Sequence, residues 1–266
     1  MNTIQIIIEA GEVQQEILIS ELAELGASGF EQLPGQLLAY FPEPGFEEEL
    51  LAQVVRPYAY EKEIVAERNW NEEWEQNFQP ITVDDFCAIR ASFHQPVIGV
   101  EQEIIITPKM SFGTGHHATT YMMLQGMRGI DFSNRSVFDF GTGTGVLAIL
   151  AEKLGAADVT AIDVDEWSME NAAENLAANG CNRIQLIKTS TVPNVQFDVI
   201  LANINRNVIL ENMEALINAA KPGAAVLFSG LLSTDEADIV KAAATAGLRL
   251  VKQNSRANWV CLLFTR

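Results

Sequence analysis

Three alternating glycines, Gly141, Gly143 and Gly145, follow the apolar stretch Val137-Phe138-Asp139-Phe140. An acid, Asp163, stands at the tip of the next such stretch, Thr160-Ala161-Ile162-Asp163. These residue types in this order suit a nucleoside. Glycines let a backbone approach a ligand closely, and the start of the helix that follows offers free N–H groups. A carboxylate after the second strand can accept both hydroxyls of a ribose. Asp163 could instead cap the helix that begins near Glu166, but Asp165 already offers that cap. The dinucleotide fingerprint G-x-G-x-x-G needs a glycine where this chain has Val146, which argues against a nicotinamide dehydrogenase.

Two further segments carry polar groups at element ends. Ser111-Phe112-Gly113-Thr114-Gly115-His116-His117-Ala118-Thr119-Thr120 precedes an apolar helical run and could fold over a ligand. Phe112 could lie against a cationic ligand or be plain core. His116 and His117 are adjacent and would point apart, and the only other histidine is His94, so no metal site is expected. The second segment, Asp198-Val199-Ile200-Leu201-Ala202-Asn203-Ile204-Asn205, reads as a buried strand ending in amides. Asn203 could orient an attacking amine, or it could simply form a turn. Asn205 is the better cap for the following helix.

The elements that must position these residues fall into two patterns. Residues 4–8 read as a strand, 13–25 as a helix, 30–33 and 37–41 as strands joined by a Pro34-Gly35 turn, 46–58 as a helix and 63–66 as a strand. The order βαββαβ is that of a ferredoxin-like α+β domain, assigned to residues 1–65. Trp70, Trp74 and Phe78 recur at helical spacing within a linker or hinge, 66–82, as one apolar face. Over 83–266 strands alternate with helices. Strands are expected at 137–140, 159–164, 184–187, 197–202 and 225–229, with helices at 146–154, 166–179, 207–220 and 235–246. The 207–220 helix is expected to stop at Lys221-Pro222-Gly223. Two last strands, 248–253 and 259–264, form a hairpin across a loop at 254–258. Such alternation predicts an α/β, Rossmann-like domain with its ligand at the strand C-termini.

Composition narrows the class. A hydrophobic fraction of 48% supports a sizeable core. Cys87, Cys181 and Cys261 are scattered, with no C-x-x-C, so neither zinc nor a disulfide framework is indicated. No apolar run is long enough for a membrane helix, and no signal peptide is apparent, so a cytoplasmic protein without a membrane partner is expected. The formal charge of −18 disfavours nucleic acid as a partner and favours a basic protein. Residues 1–62 hold eleven glutamates against Arg56 and Lys62, so the first domain is a candidate docking module for one.

The pattern Asp139-x-Gly141-x-Gly143-x-Gly145 resembles the adenosylmethionine-binding turn of class I methyltransferases. The whole chain resembles the PrmA family, which methylates large-subunit ribosomal protein 11. Phe112-Gly113-Thr114-Gly115-His116-His117-Ala118-Thr119-Thr120 matches that family's F-G-T-G-x-H-x-T-T, and Ala202-Asn203-Ile204 matches its A-N-I/L element. Ala161-Ile162-Asp163-Val164-Asp165 and the helix Asn171 to Gly180 match the acidic strand end and A-x-x-N-x-x-x-N-G. After Asn203-Ile204 the family commonly has a small residue and Pro, whereas this chain has Asn205-Arg206-Asn207.

The resemblance implies S-adenosyl-L-methionine as cofactor, contacted by Thr120, Gly141, Asp163 and Asn203, with Phe112, Gly115 and Gly143 as further contacts. It implies N-methylation of lysine or N-terminal amines and recognition of the ribosomal protein by the first domain; a monomer is expected. No dedicated general base is evident, so Asn203 and backbone carbonyls would orient the amine while water takes its proton. The alternatives are an N-methyltransferase for another protein or a small amine, and a non-catalytic adenosylmethionine-binding protein.

Overall fold

The computed structural model describes residues 3–44, 46–65, 78–109 and 113–266. The chain separates into two compact units, Met1–Glu73 and Trp74–Arg266. Trp70, Trp74 and most of the 66–82 segment lie outside the described residues.

In the first unit, strands β1 (Thr3–Glu9), β2 (Gly29–Leu33), β3 (Gln36–Pro42) and β4 (Tyr60–Val65) form an antiparallel sheet in the order β2-β3-β1-β4. Period-two alternation sends Ile4, Ile6 and Ile8 of β1 to one face, opposite Phe41, Ala39 and Leu37 of β3. Helices α1 (Glu12–Glu24) and α2 (Glu48–Val55) contribute Leu18, Leu22, Leu51 and Val55 to that core. Burying each such aliphatic side chain contributes about 1.5–3 kcal/mol. Gln15 is buried among them because its amide has work to do: Nε2 donates to the carbonyls of Ala10 at 2.9 Å and Leu33 at 3.0 Å. Pro34-Gly35 makes the expected turn, with Gly35 at φ +81°.

The second unit is built on a seven-stranded sheet. Its strands are β8 (Ser136–Phe140), β9 (Asp158–Asp163), β10 (Ile184–Lys188), β11 (Phe197–Asn203), β12 (Ala220–Leu232), β13 (Arg249–Arg256) and β14 (Trp259–Thr265). They lie in the order β10-β9-β8-β11-β12-β14-β13, and the first five are parallel. Only β14 runs against the rest, seated between β12 and β13. Helices α3 (Ala118–Met127), α4 (Val146–Lys153), α5 (Glu166–Ala178), α6 (Arg206–Asn218) and α7 (Glu236–Thr245) accompany it. Both faces are covered, so β11 is apolar on both sides. Val199 and Leu201 join the core that includes α3 and α4, while Ile200 and Ala202 join that of α6 and α7.

Three departures from the sequence reading have physical causes. First, a separate three-stranded sheet, β5 (Ile81–Val83), β6 (Cys87–Ala91) and β7 (Gln102–Ile106), precedes α3. Second, Lys221-Pro222-Gly223 does not separate α6 from β12; it lies within β12. Ala220 pairs with Phe197 and Ala225 with Val199, so 221–224 bulge opposite Asp198 alone. A bulge tolerates the missing N–H of Pro222, and Lys221 Nζ donates to Asp198 at 2.8 Å. Third, the expected 254–258 loop shrinks to Ala257-Asn258, because Ala257 takes φ +52° and lets pairing run from Arg249 to Arg256.

Candidate functional site

The strand order reverses at β8, whose neighbours are β9 on one side and β11 on the other. A cleft opens where these three strands end, as expected for a doubly wound sheet. Its volume is about 690 Å³, and Gly141, Gly143, Asp163 and Asn203 all line it. Four of the residues singled out in the sequence therefore converge on one surface.

The glycine-rich turn is fastened to β9 before any ligand enters. Gly141 and Thr142 donate their N–H groups to the carbonyl of Ile162 at 3.0 and 2.9 Å. Gly141 has φ +76°, and a Cβ there would stand 2.9 Å from Ile204 Cδ1, so no larger residue fits without displacing that side chain. Gly143, at φ +53°, donates its N–H to Asp163 Oδ2 at 2.9 Å. The other oxygen of Asp163 accepts from the N–H of Val164 at 2.8 Å and of Asp165 at 3.1 Å. Asp163 is thus oriented by backbone alone, with lone pairs left for a diol. The cap of α5 falls on Asp165, which accepts from Ser168 N at 2.8 Å.

Beneath the turn, Asp139 is fully buried. Burial pushes its carboxyl up to about 7, and the charge of Asp163 adds to this against the hydrogen bond from Thr142 Oγ1 at 2.6 Å. Thr144 ties the turn to the preceding loop, its hydroxyl donating to the Gly113 carbonyl at 3.0 Å. Asn175 of α5 braces the same residue. Its Nδ2 donates to Thr144 O at 2.8 Å and its Oδ1 accepts from Thr107 N at 2.7 Å.

Asn203 is 8% exposed at the end of β11. Its Nδ2 donates to Thr120 Oγ1 at 3.3 Å, and its Oδ1 is buried with no hydrogen-bond partner. A buried acceptor left unpaired costs free energy, which marks a position held for something other than stability. Thr120 itself is buried behind Asn203 and does not line the cleft. Asn205 caps α6, accepting from Val208 N at 3.1 Å.

The loop residues separate. Phe112 lies outside the described residues. Gly115 is not brought to the cleft: a Cβ there would meet Ile89 Cδ1 at 2.7 Å and Ile81 Cδ1 at 3.3 Å, so it is packed on the β5-β6-β7 sheet instead. His116 sits edge-on to Phe78 at 4.8 Å, and burial holds its pKa below the usual histidine value. His117 caps α3 and lies 4.7 Å, edge-on, from Trp259. Trp259, the first residue of β14, lines the cleft and was not singled out from the sequence. The signal was available in principle. An antiparallel strand begins at the edge where parallel strands end, so its first residue faces their ligand crevice.

A glycine turn on β8, an acid on β9 and an amide on β11, on a sheet of this order, define an adenosylmethionine-dependent methyltransferase of the Rossmann-like class. Comparison with known proteins sharpens this. The family described as ribosomal protein L11 methyltransferase (PrmA) matches residues 4–266. A protein of that name from Porphyromonas gingivalis is 41% identical over 269 residues, covering 96% of this chain and 91% of its own. Another of that name from Chlorobaculum parvum is 39% identical over 255 residues, covering 88% and 86%. The crystal structure of the ribosomal protein L11 methylase from Lactobacillus delbrueckii subsp. bulgaricus superposes with a TM-score of 0.66 at 32% identity, covering 71% of this chain and 99% of that one. The chain belongs to the ribosomal protein L11 methyltransferase family.

Proposed function

We propose that this protein transfers methyl groups from S-adenosyl-L-methionine to amino groups, of lysine side chains or the N-terminus, on large-subunit ribosomal protein 11. The reading is carried by one observation: Asp163 and Asn203, the latter with a buried, unpaired Oδ1, line a single cleft, in a chain that matches the family across both of its units.

The residues present fit the cofactor. Gly141 and Gly143 give it a backbone wall without side chains, Asp163 accepts its ribose hydroxyls, and Asn203 lies at the reacting end. Thr120 would act through Asn203, whose Nδ2 donates to its hydroxyl. When bound, adenosylmethionine supplies an activated methyl on a cationic sulfur. The chain's task is to present a neutral amine in line with it. A free lysine amine has a pKa of about 10.4 and an α-amine one of about 7.7–8.0, so desolvation must lower the lysine value. Asn203 Oδ1 accepts a hydrogen bond from the amine and aims its lone pair. Water takes the proton.

Residues 1–65, within the first unit, are proposed to be a ferredoxin-like recognition domain, a reading supported by the βαββαβ order and the β2-β3-β1-β4 sheet. Residues 66–82 serve as its link to the catalytic domain, 83–266. The excess of glutamate in the first unit suits a basic protein acceptor. Among the described residues no helix is long and apolar enough to cross a membrane.

Intact-mass analysis of purified large-subunit ribosomal protein 11, incubated with this protein and adenosylmethionine, tests the proposal. Stepwise gains of one CH₂, abolished by Asp163→Ala, are expected. An unchanged mass, with cofactor binding intact by calorimetry, would remove the acceptor assignment.

A further inference from the structure

The cofactor cleft does not end at Asn203. At Asn205, Gly230 and Trp259 it adjoins a second, more open cleft, because all three residues line both. The outer part of that second cleft holds Arg206, Asp235 and Asp238. Arg206 Nη2 donates to Asp238 Oδ2 at 2.5 Å, and its Nε stands 3.8 Å from Asp235 Oδ1. Asp235 is fixed by a hydrogen bond from Leu232 N at 2.9 Å, so the carboxylate does not depend on Arg206 for its place. Among the described residues lining the two clefts, Arg206 is the only lysine or arginine, set among Asp163, Glu211, Asp235 and Asp238.

Resting on the function proposed above, we propose that this second cleft is the entry for the acceptor's lysine side chain. Asp235 and Asp238 receive its ammonium group, and Arg206 is the counter-cation that the incoming lysine displaces. Two independent features converge on this. A carboxylate pair already holding a cation is a site built for cations. The inner of the two joined clefts is also lined by Asn203, whose Oδ1 is buried and unpartnered. The side chain arrives as an ammonium at the exposed carboxylates and gives one proton to water on passing into the less open inner cleft, where desolvation disfavours the cation. Arg206 thereby sets selectivity, since a neutral side chain cannot compete for the two carboxylates.

The test is steady-state kinetics of the full-length protein with purified large-subunit ribosomal protein 11, alongside cofactor affinity by calorimetry. Arg206→Ala unmasks the carboxylates and should lower the acceptor KM by roughly threefold at low ionic strength, while Asp238→Asn should raise it by a similar factor, as partly exposed ion pairs allow. Arg206→Lys should return KM toward the wild-type value. Both shifts should shrink in high salt. A purely structural ion pair would move both variants in the same direction, with loss of thermal stability, and that result would overturn the inference. Failure of the wild-type protein to methylate this acceptor would overturn the underlying function and the inference with it. Methylation with parallel shifts in both variants would overturn the inference alone.

Discussion

The carboxylate of Asp163 accepts the backbone N–H of Gly143 at 2.9 Å, joining the end of β9 to the middle of the β8 turn. The acid and the glycine turn are therefore one device. A change at Asp163 would remove the proposed ribose contact and also the bond that holds the glycine turn. Asp163→Asn keeps the shape and one acceptor oxygen but loses the charge-assisted bonds, each worth about 1.5–3 kcal/mol. Cofactor affinity measured by calorimetry should fall by at least about tenfold. Unchanged affinity would show that the turn holds its form unaided.

The role proposed for Asn203 would trade stability for function. Asn203→Leu removes one long hydrogen bond to Thr120 but also the unpaired Oδ1. The two effects oppose each other, so stability in urea should change by less than about 1 kcal/mol. Turnover should fall by at least about tenfold, the scale of one lost positioning hydrogen bond. Normal turnover in this variant would sink the role assigned to the amide.

Asp139 gives the fold a pH dependence of unusual sign. Its folded-state pKa, about 7, lies above the reference value of 3.8. The stabilisation from its protonated form is complete below the lower value and is lost as pH rises through the upper one. Asp198 behaves oppositely. Burial would raise its pKa, but Lys221 and Ser136 outweigh this and hold it at about 2, so its contribution is lost only as pH falls through that value. Thermal scans from weakly acidic to neutral pH should show a decline that Asp139→Asn flattens. An identical slope in the variant would refute the assignment.

Asn175 is buried and bonded at both ends of its amide, to Thr107 N and to Thr144 O. Asn175→Ala leaves both backbone groups unpaired, at about 1–3 kcal/mol each. The urea midpoint should drop correspondingly. Because Thr144 also holds Gly113, cofactor affinity should weaken in the same variant, whereas an effect on stability alone would argue that the loop is held independently.

The site was legible in the sequence where chemistry and local geometry coincide. Asp163 follows from an acid at a strand tip with a spare cap, Asp165, beside it, and the structure gives the cap to Asp165. Asn203 and Asn205 divide their roles the same way, the second alone capping a helix. What the sequence concealed depends on distant pairing. Lys221-Pro222-Gly223 reads as a stop locally and is a bulge only because Asp198 lies opposite. Trp259 reads as an ordinary strand residue and reaches the cleft only because β14 runs backwards. Gly115 carries the same glycine signature as Gly141, yet its neighbours are Ile81 and Ile89 of a sheet that periodicity did not reveal.

The place of β14 between β12 and β13 sets an order of assembly during synthesis. A nascent chain presents β13 before β14, yet β13 has no partner in the sheet until β14 arrives to bridge it to β12. Until then β12 is an open edge of the kind that invites mispairing. The cleft also lacks its Trp259 wall. β14 thus closes both the sheet and the pocket, so a chain made only as far as β13 has neither.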